Sequence, residues 1–183
     1  MANLTISGVR FMYNFVFEPR MNKMNGKEEY FVRVLVPKDN LEAIKTIKDA
    51  IHDVATDKWG AKAEATLKTI RLPLMDGDVN KAGDEAYAGM YYFNAKTTTK
   101  PSVVDLSCNP IMDKEDFYSG CWGAFNGQVW AYDNAYGKGI SISLGNLMKM
   151  KDDAPLGGSG ISAREAFAAF VPKQADDGLD GLL

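Results

Sequence analysis

Through much of this chain, hydrophobic and polar positions alternate. Residues 3–17 carry Leu4, Ile6, Val9, Phe11, Tyr13, Phe15 and Phe17. From Val9 to Phe17 the period is two, which predicts a strand with an aromatic-rich face opposite Arg10, Met12, Asn14 and Val16. Pro19 and the polar run Asn22-Lys23-Met24-Asn25-Gly26 read as a turn. Residues 28–36 predict a second strand, with Tyr30, Val32, Val34 and Val36 on one face and Phe31, Arg33 and Leu35 on the other. The two strands make an antiparallel hairpin.

After Pro37 the period changes. Leu41, Ile44, Ile47, Ile51, Val54 and Ala55 keep helical spacing, so a helix capped by Asp39 or Asn40 runs to about Trp59 and lays one apolar stripe on a core. His52 sits at the border of that stripe with no second metal ligand nearby. From Pro73 to Gly89 the text turns to Gly, Asp, Asn and Ala, an exposed loop. Strand signals resume at Met90–Thr97, Val103–Leu106, Gly120–Tyr132 and Ile140–Leu144. Asp133–Gly139 has hairpin chemistry. Leu156-Gly157-Gly158-Ser159-Gly160 is a linker, and Ser162-Ala163-Arg164-Glu165 is a capping box opening a short helix to about Phe170. Five or more short strands and one substantial helix predict a small β-barrel of mixed, mainly β (α+β) class.

Composition fits one domain with a tail. The 183 residues are 46% hydrophobic and 25% charged, the balance of a folded chain. No apolar run reaches the roughly 18 residues of a membrane helix. The opening from Met1 to Arg10 has neither the basic start nor the apolar stretch of a signal peptide, so the protein is expected to stay where it is made. The net charge of −3 argues against coating duplex DNA through bulk positive charge. Three of the 24 acidic residues lie beyond Lys173, the last basic residue, so residues 1–173 balance 21 against 21. The negative charge belongs to the tail.

Little in the sequence supports catalysis. Nucleophile elbows, phosphate-binding Gly-Lys-Ser/Thr loops and H-E-x-x-H are absent. Asp76-Gly77-Asp78-Val79-Asn80 opens like a calcium loop, but Lys81 and Tyr87 occupy the positions that need glycine and glutamate, leaving a solvated acidic turn. Cys108, Cys121 and His52 cannot supply a structural zinc site. The cysteines read as small buried apolar residues, with a disulfide open on spacing. No metal, cofactor or enzymatic activity is expected.

The positive signal is aromatic: three Trp, eight Tyr and nine Phe. Trp122, Phe125, Trp130 and Tyr132 fall within eleven residues. Gln128, Trp130 and Tyr132 share one strand face and Val129 and Ala131 the other. Rings that stack on bases and scattered bases that track phosphates are what single-strand binding requires. The bland alternatives are rings that fill the barrel and lysines that are merely solvated. Lys138 projects between Gly137 and Gly139 at a hairpin tip. The segment from Gln174 to Leu183 is acidic, ends in two leucines, and is too polar to fold alone. It reads as a tethered ligand, an occupant of its own body's groove, or a solubilising terminus.

Ser119-Gly120-Cys121-Trp122-Gly123, Trp130-Ala131-Tyr132-Asp133-Asn134, Gly137-Lys138-Gly139-Ile140 and Pro155-Leu156-Gly157-Gly158 resemble phage-encoded single-stranded DNA-binding proteins. The N-terminal strand and the Asp76-Gly77-Asp78 loop also fit. The resemblance implies an OB-fold-like five-stranded Greek-key barrel over residues 1–156, a Gly-rich linker and short helix over 157–173, and a disordered acidic tail over 174–183. It implies sequence-nonspecific single-stranded DNA binding in phage replication or recombination, in the cytoplasm of a bacterial host. By the same resemblance the tail (Asp176, Asp177, Asp180, Leu182 and Leu183) moderates DNA binding and contacts replication proteins such as a DNA polymerase or helicase. Related tails often end in an aromatic residue; this one ends in leucine. A homodimer is compatible with this reading. Strand parity nominates Tyr13, Tyr92, Trp122, Trp130 and Tyr132 for base stacking and Arg33, Lys96, Lys100 and Lys138 for phosphate contact. The principal rival is a non-catalytic virion structural or assembly protein. An OB module for a saccharide or protein, and a metal-dependent nuclease, are weaker rivals.

Overall fold

Strand β1 (Ala2–Asn22) is long enough to serve two neighbours, and the barrel is built around it. It pairs antiparallel with β2 (Lys27–Pro37) through its second half and with β6 (Trp122–Asn134) through its first. β3 (Met75–Asp76) and β4 (Met90–Thr97) continue the sheet beyond β2, while β7 (Gly137–Lys151) and β5 (Ser102–Val104) continue it beyond β6. A parallel pairing of β4 with β7 closes the ring β1-β2-β4-β7-β6, with β3 and β5 as extra strands. This is the mainly β, five-stranded Greek-key barrel expected from the sequence. The computed structural model describes residues 1–156, 167–170 and 172. The Gly-rich linker, the capping box and the acidic tail lie outside the described residues. Among those described, no helix is long and apolar enough to cross a membrane.

Helix α1 (Leu41–Trp59) begins where Asn40 caps it. The Asn40 side-chain oxygen accepts from the Ala43 amide at 3.2 Å, and its nitrogen donates to the Ser7 carbonyl at 2.9 Å, tying the helix start to β1. Ile44, Ile47, Ile51 and Val54 are buried on the barrel, as their spacing predicts. α2 (Ala63–Leu67) follows α1 after one 3-10 turn. Inside the barrel, Leu4, Val9, Phe11, Val32, Val34, Phe93, Phe125, Val129 and Ile142 form one core, with Phe93 edge-on to Phe125 at 5.2 Å.

The alternation read in β2, β6 and β7 is kept. Val32, Val34 and Val36 point inward; Val129 is buried while Trp130 is half-buried; Ile140, Ile142 and Leu144 are core. In β1 the alternation fails after Phe11. Tyr13 takes a left-handed φ of 55°, and the pairing with β2 slips between Met12 and Phe15. This bulge inverts the phase, so Phe15 turns out and Val16 turns in, and Phe15 no longer shares the face of the buried Phe11 on which the sequence reading set both. The Pro73–Gly89 loop also departs from expectation. It contains β3, the short α3 (Gly77–Asn80) and a 3-10 turn that buries Tyr87. Cys108 is exposed and Cys121 buried; both are free thiols, and burial pushes the Cys121 pKa up to about 11.

β6 and β7 approach each other closely at glycines. A Cβ at Gly127 would lie 2.0 Å from the Ser143 carbonyl oxygen and 2.7 Å from the Phe125 ring, both parts of the packed wall. Gly127→Ala is therefore expected to destabilise the fold by about 1–3 kcal/mol, the usual cost of overpacking. Urea unfolding checks this: the midpoint falls at unchanged slope.

Candidate nucleic-acid interface

The outward faces of β1, β2 and β4 carry pairs of cations and rings. Arg33 is the centre. Its Nε donates to Asn94 Oδ1 at 2.8 Å and its Nη1 to the Tyr87 hydroxyl at 2.7 Å. The guanidinium lies 4.9 Å from the Tyr92 ring centroid and 5.2 Å from that of Tyr13. β2 and β4 supply Arg33 and Asn94 as direct cross-strand partners. Tyr87 comes from the segment between β3 and β4 and shares a second apolar cluster with Met12, Leu35 and Tyr92. Desolvation by this packing raises the Tyr87 pKa, and the Arg33 charge only partly offsets it. Tyr13, 42% exposed on the β1 bulge, presents its ring beside Arg33.

Toward the β1–β2 turn, Arg20 lies 4.9 Å from the Phe15 ring centroid and 6.0 Å from that of Phe31. These groups adjoin a groove of 650 Å³ lined by Arg20, Lys23, Glu29, Phe31, Asn94 and Lys96. Lys96 faces Glu29 at 3.5 Å. Burial would raise the Glu29 pKa, but hydrogen bonds from Asn22 and Asn25 and the Lys96 charge hold it below the ordinary value.

Across the closure the surface continues. Lys96 pairs with Ser143, Ser143 with Gln128, and Ser141 with Trp130, so these side chains share the outer face. The Trp130 and Tyr132 centroids are 5.6 Å apart and their planes tilt by 50°. Tyr132 lies over Gly139, where a Cβ would come within 2.3 Å of its hydroxyl oxygen. Asp133 accepts from Trp59 Nε1 at 3.2 Å and meets Lys138 at 3.6 Å.

Five of the sequence-predicted residues are thus gathered on one surface: Tyr13, Arg33, Lys96, Trp130 and Tyr132. Lys138, opposite Asp133 at the β6–β7 tip, has the other strand parity. Tyr92 is corrected. It faces the right way but is only 4% exposed, because Tyr87 covers it edge-on at 5.2 Å and Arg33 lies against it. Lys100 is not brought to this surface; it lines a separate 360 Å³ hollow with Phe17, Glu18 and Met112. Trp122 stands farther along β6, with Arg10 and Lys151 against its ring. Sequence reasoning missed Phe15, Phe31, Arg20 and Tyr87 as members of the surface, and Tyr136, fully exposed at the hairpin tip. Phe31 and Arg20 were legible as an aromatic and a base beside a turn; Phe15 was hidden by the bulge.

The acidic turn has its own cation. Lys38 Nζ lies 2.8 Å from Asp76 and 2.7 Å from Asp78, with the Tyr91 ring centroid at 5.1 Å. The ammonium lowers both carboxyl pKa values through hydrogen bonding, and the carboxylates raise that of Lys38. Asp78 also accepts from the Gly89 amide at 3.0 Å, so the clamp holds both ends of the segment that delivers Tyr87.

Comparison with known proteins adds to this geometry. The family model described as Enterobacter phage Enc34, ssDNA-binding protein, matches residues 2–179. Protein p50 of Acyrthosiphon pisum secondary endosymbiont phage 1 is 31% identical over 171 residues, covering 90% of this chain and 91% of its own. The structure of the bacteriophage Enc34 single-stranded DNA-binding protein in complex with ssDNA superposes with a TM-score of 0.73 at 29% identity, over 85% of this chain and 89% of that one. Gp2.5, a single-stranded DNA-binding protein encoded by bacteriophage T7, shares the fold, with a TM-score of 0.59 at 16% identity over 94% of this chain and 96% of its own.

The clamp has a predictable pH dependence. Asp76 and Asp78 have depressed pKa values, so their contribution is full above the ordinary carboxylate range near 4 and is lost as pH falls through the depressed values. Lys38→Met is expected to lower the melting temperature at pH 7, and the difference from the parent should vanish near pH 2. Melting curves at both pH values check this.

Proposed function

The chain belongs to the family of the Enterobacter phage Enc34 ssDNA-binding protein, and on that premise we propose that it binds single-stranded DNA in phage replication or recombination, without catalysis and without strong sequence preference. The observation that carries the reading is the continuous outer surface from Phe15, Phe31 and Arg33 across Lys96 to Trp130. Bases stack on the exposed faces of Tyr13, Phe15, Phe31, Trp130 and Tyr132, each ring contributing about 1–3 kcal/mol. Arg20, Lys96 and Lys138 meet phosphates. Arg33, engaged by Asn94 and Tyr87, acts chiefly by holding the Tyr13 ring in place. The short β1–β2 and β6–β7 connections flank the surface, where OB folds commonly take oligonucleotides.

In this reading residues 1–156 are the binding domain, working in the cytoplasm of a bacterial host. The tail, with Asp176, Asp177, Asp180, Leu182 and Leu183, contacts replication proteins such as a polymerase or helicase, and a homodimer is compatible with it. The body is electrically neutral and several of its cations already face carboxylates. Few phosphates are neutralised, so the salt dependence is modest, each one contributing a slope of about −0.7.

Titration of intrinsic tryptophan fluorescence with a mixed-sequence oligonucleotide tests the proposal, with duplex DNA as control. Quenching by the single strand alone is expected, and Trp130→Ala should weaken binding about tenfold or more. A flat titration at low salt would remove the single-strand reading and bring the virion-assembly alternative forward. Normal binding by a well-folded Trp130→Ala chain would take that ring out of the site. A chain ending at Lys173 should bind more tightly if the tail moderates access.

A further inference from the structure

Just after β7, residues Asp152–Leu156 cross back over the outside of the barrel. The Leu156 amide donates to the Ser119 carbonyl at 2.8 Å, and Gly120 is packed so closely that a Cβ there would lie 2.4 Å from the Ala154 oxygen. Beneath this strap lies Arg10. Its Nε donates to the Gly120 carbonyl at 2.8 Å and its Nη2 to the Ala154 carbonyl at 2.7 Å, with Asp153 Oδ2 at 3.4 Å from Nη2. The same Asp153 oxygen accepts from Trp122 Nε1 at 2.8 Å. Lys151 approaches the Trp122 ring at 5.2 Å and Arg10 at 5.6 Å.

A guanidinium fork, an ammonium and an indole around one anionic group are the parts needed to hold a nucleotide: phosphate on the cations, base on the ring. Here the anion is the chain's own carboxylate. Resting on the single-strand reading above, we infer that Arg10, Trp122 and Lys151 form a further nucleotide subsite, taking a phosphodiester of single-stranded DNA, which Asp153 covers in the free protein.

Exposure gives the order of the layers. The Arg10 side chain is 13% exposed and that of Asp153 is 42% exposed, so the acid is the outer layer and leaves first. Lys151 is exposed and already reaches solvent. The neighbouring Asp152 is held elsewhere, by Lys149 at 2.7 Å and the Tyr118 hydroxyl at 2.8 Å, and it anchors the strap while Asp153 turns away. Arg10 and Trp122 are direct cross-strand partners on β1 and β6, and Arg10 also pairs with Leu35 of β2. The subsite therefore adjoins the Arg33 and Tyr13 cluster, and a strand lying there can continue onto it.

The test is the affinity of the full chain for a labelled oligo-dT, read by fluorescence polarisation over a range of salt. Asp153→Asn keeps an oxygen for the Trp122 N–H and removes the charge. It is expected to tighten binding about threefold or more and to steepen the log–log salt slope by about 0.7, one extra phosphate. Asp53→Asn, the same charge change on α1, controls for bulk charge and should leave the slope unchanged. Adding Lys151→Ala to Asp153→Asn should abolish the gain. The subsite is overturned if Asp153→Asn matches Asp53→Asn, if the gain survives loss of Lys151, or if Asp153→Asn lowers the melting temperature with affinity and slope unchanged, as a purely structural strap would. A parent chain that leaves the oligonucleotide unbound overturns the underlying reading and this one with it. A parent that binds while Asp153→Asn matches its control overturns the subsite alone.

Discussion

Two residue pairs close the barrel: Ala95 with Ile142 and Lys96 with Ser143, joining β4 to β7 in parallel. Every other contact around the ring is an antiparallel ladder, several of them long. This short seam brings the cations of β2 and β4 onto the same outer surface as the rings of β6. Without it, Lys96 on β4 and Ser143 on β7 would lie toward opposite ends of an open sheet. The seam can be short because the core reinforces it, with Ala95 and Ile142 facing inward beside Phe93 and Val129. The glycines of β6 let β7 approach it closely at Met148 and Ser143.

On that surface, rings and cations are paired with each other before any ligand arrives. Arg33 lies against Tyr13 and Tyr92, Arg20 against Phe15 and Phe31, and Lys151 and Arg10 against Trp122. Each pair fixes a flat face at small cost, since a guanidinium stacked on a ring keeps most of its donors free for other partners. Carboxylates neutralise much of the charge: Glu29 meets Lys96, Asp133 meets Lys138 and Asp153 meets Arg10. The result is a surface whose cations are partly paired and whose aromatic faces are held by neighbouring cations. In the proposed reading such a surface serves stacking on bases and not long-range attraction to a duplex.

Much of this was legible in order. The inward valines of β2, the core face of β7 and the outward placement of Trp130 all follow from a period of two, because burying one face of a strand leaves that imprint on its sequence. The helix was legible, with its cap narrowed to Asp39 or Asn40, and the structure places the cap at Asn40. Phe15 was not, because a single left-handed residue at Tyr13 shifts the phase and nothing in the local pattern announces it. Tyr92 shows a different gap: its orientation was readable, but its cover by Tyr87 was not. The Asp76 and Asp78 pair read as a solvated acidic turn, and what the local sequence did not show is that Lys38, just after β2, clamps both carboxylates.

The sequence by itself determined which segments become strands or helix, which face of most strands turns inward, and that the chain is rich in rings while its charge balance is nearly even. These follow from local pattern and composition, since partition of a side chain between water and core acts residue by residue. The tertiary structure decided which rings remain accessible and which cations remain free. That choice rests on partners far apart in the chain, such as the Arg10 contact with Ala154 across 144 residues. Two strands, a bulge and a returning strap must all be in place before such a contact exists, so no stretch of sequence carries it alone.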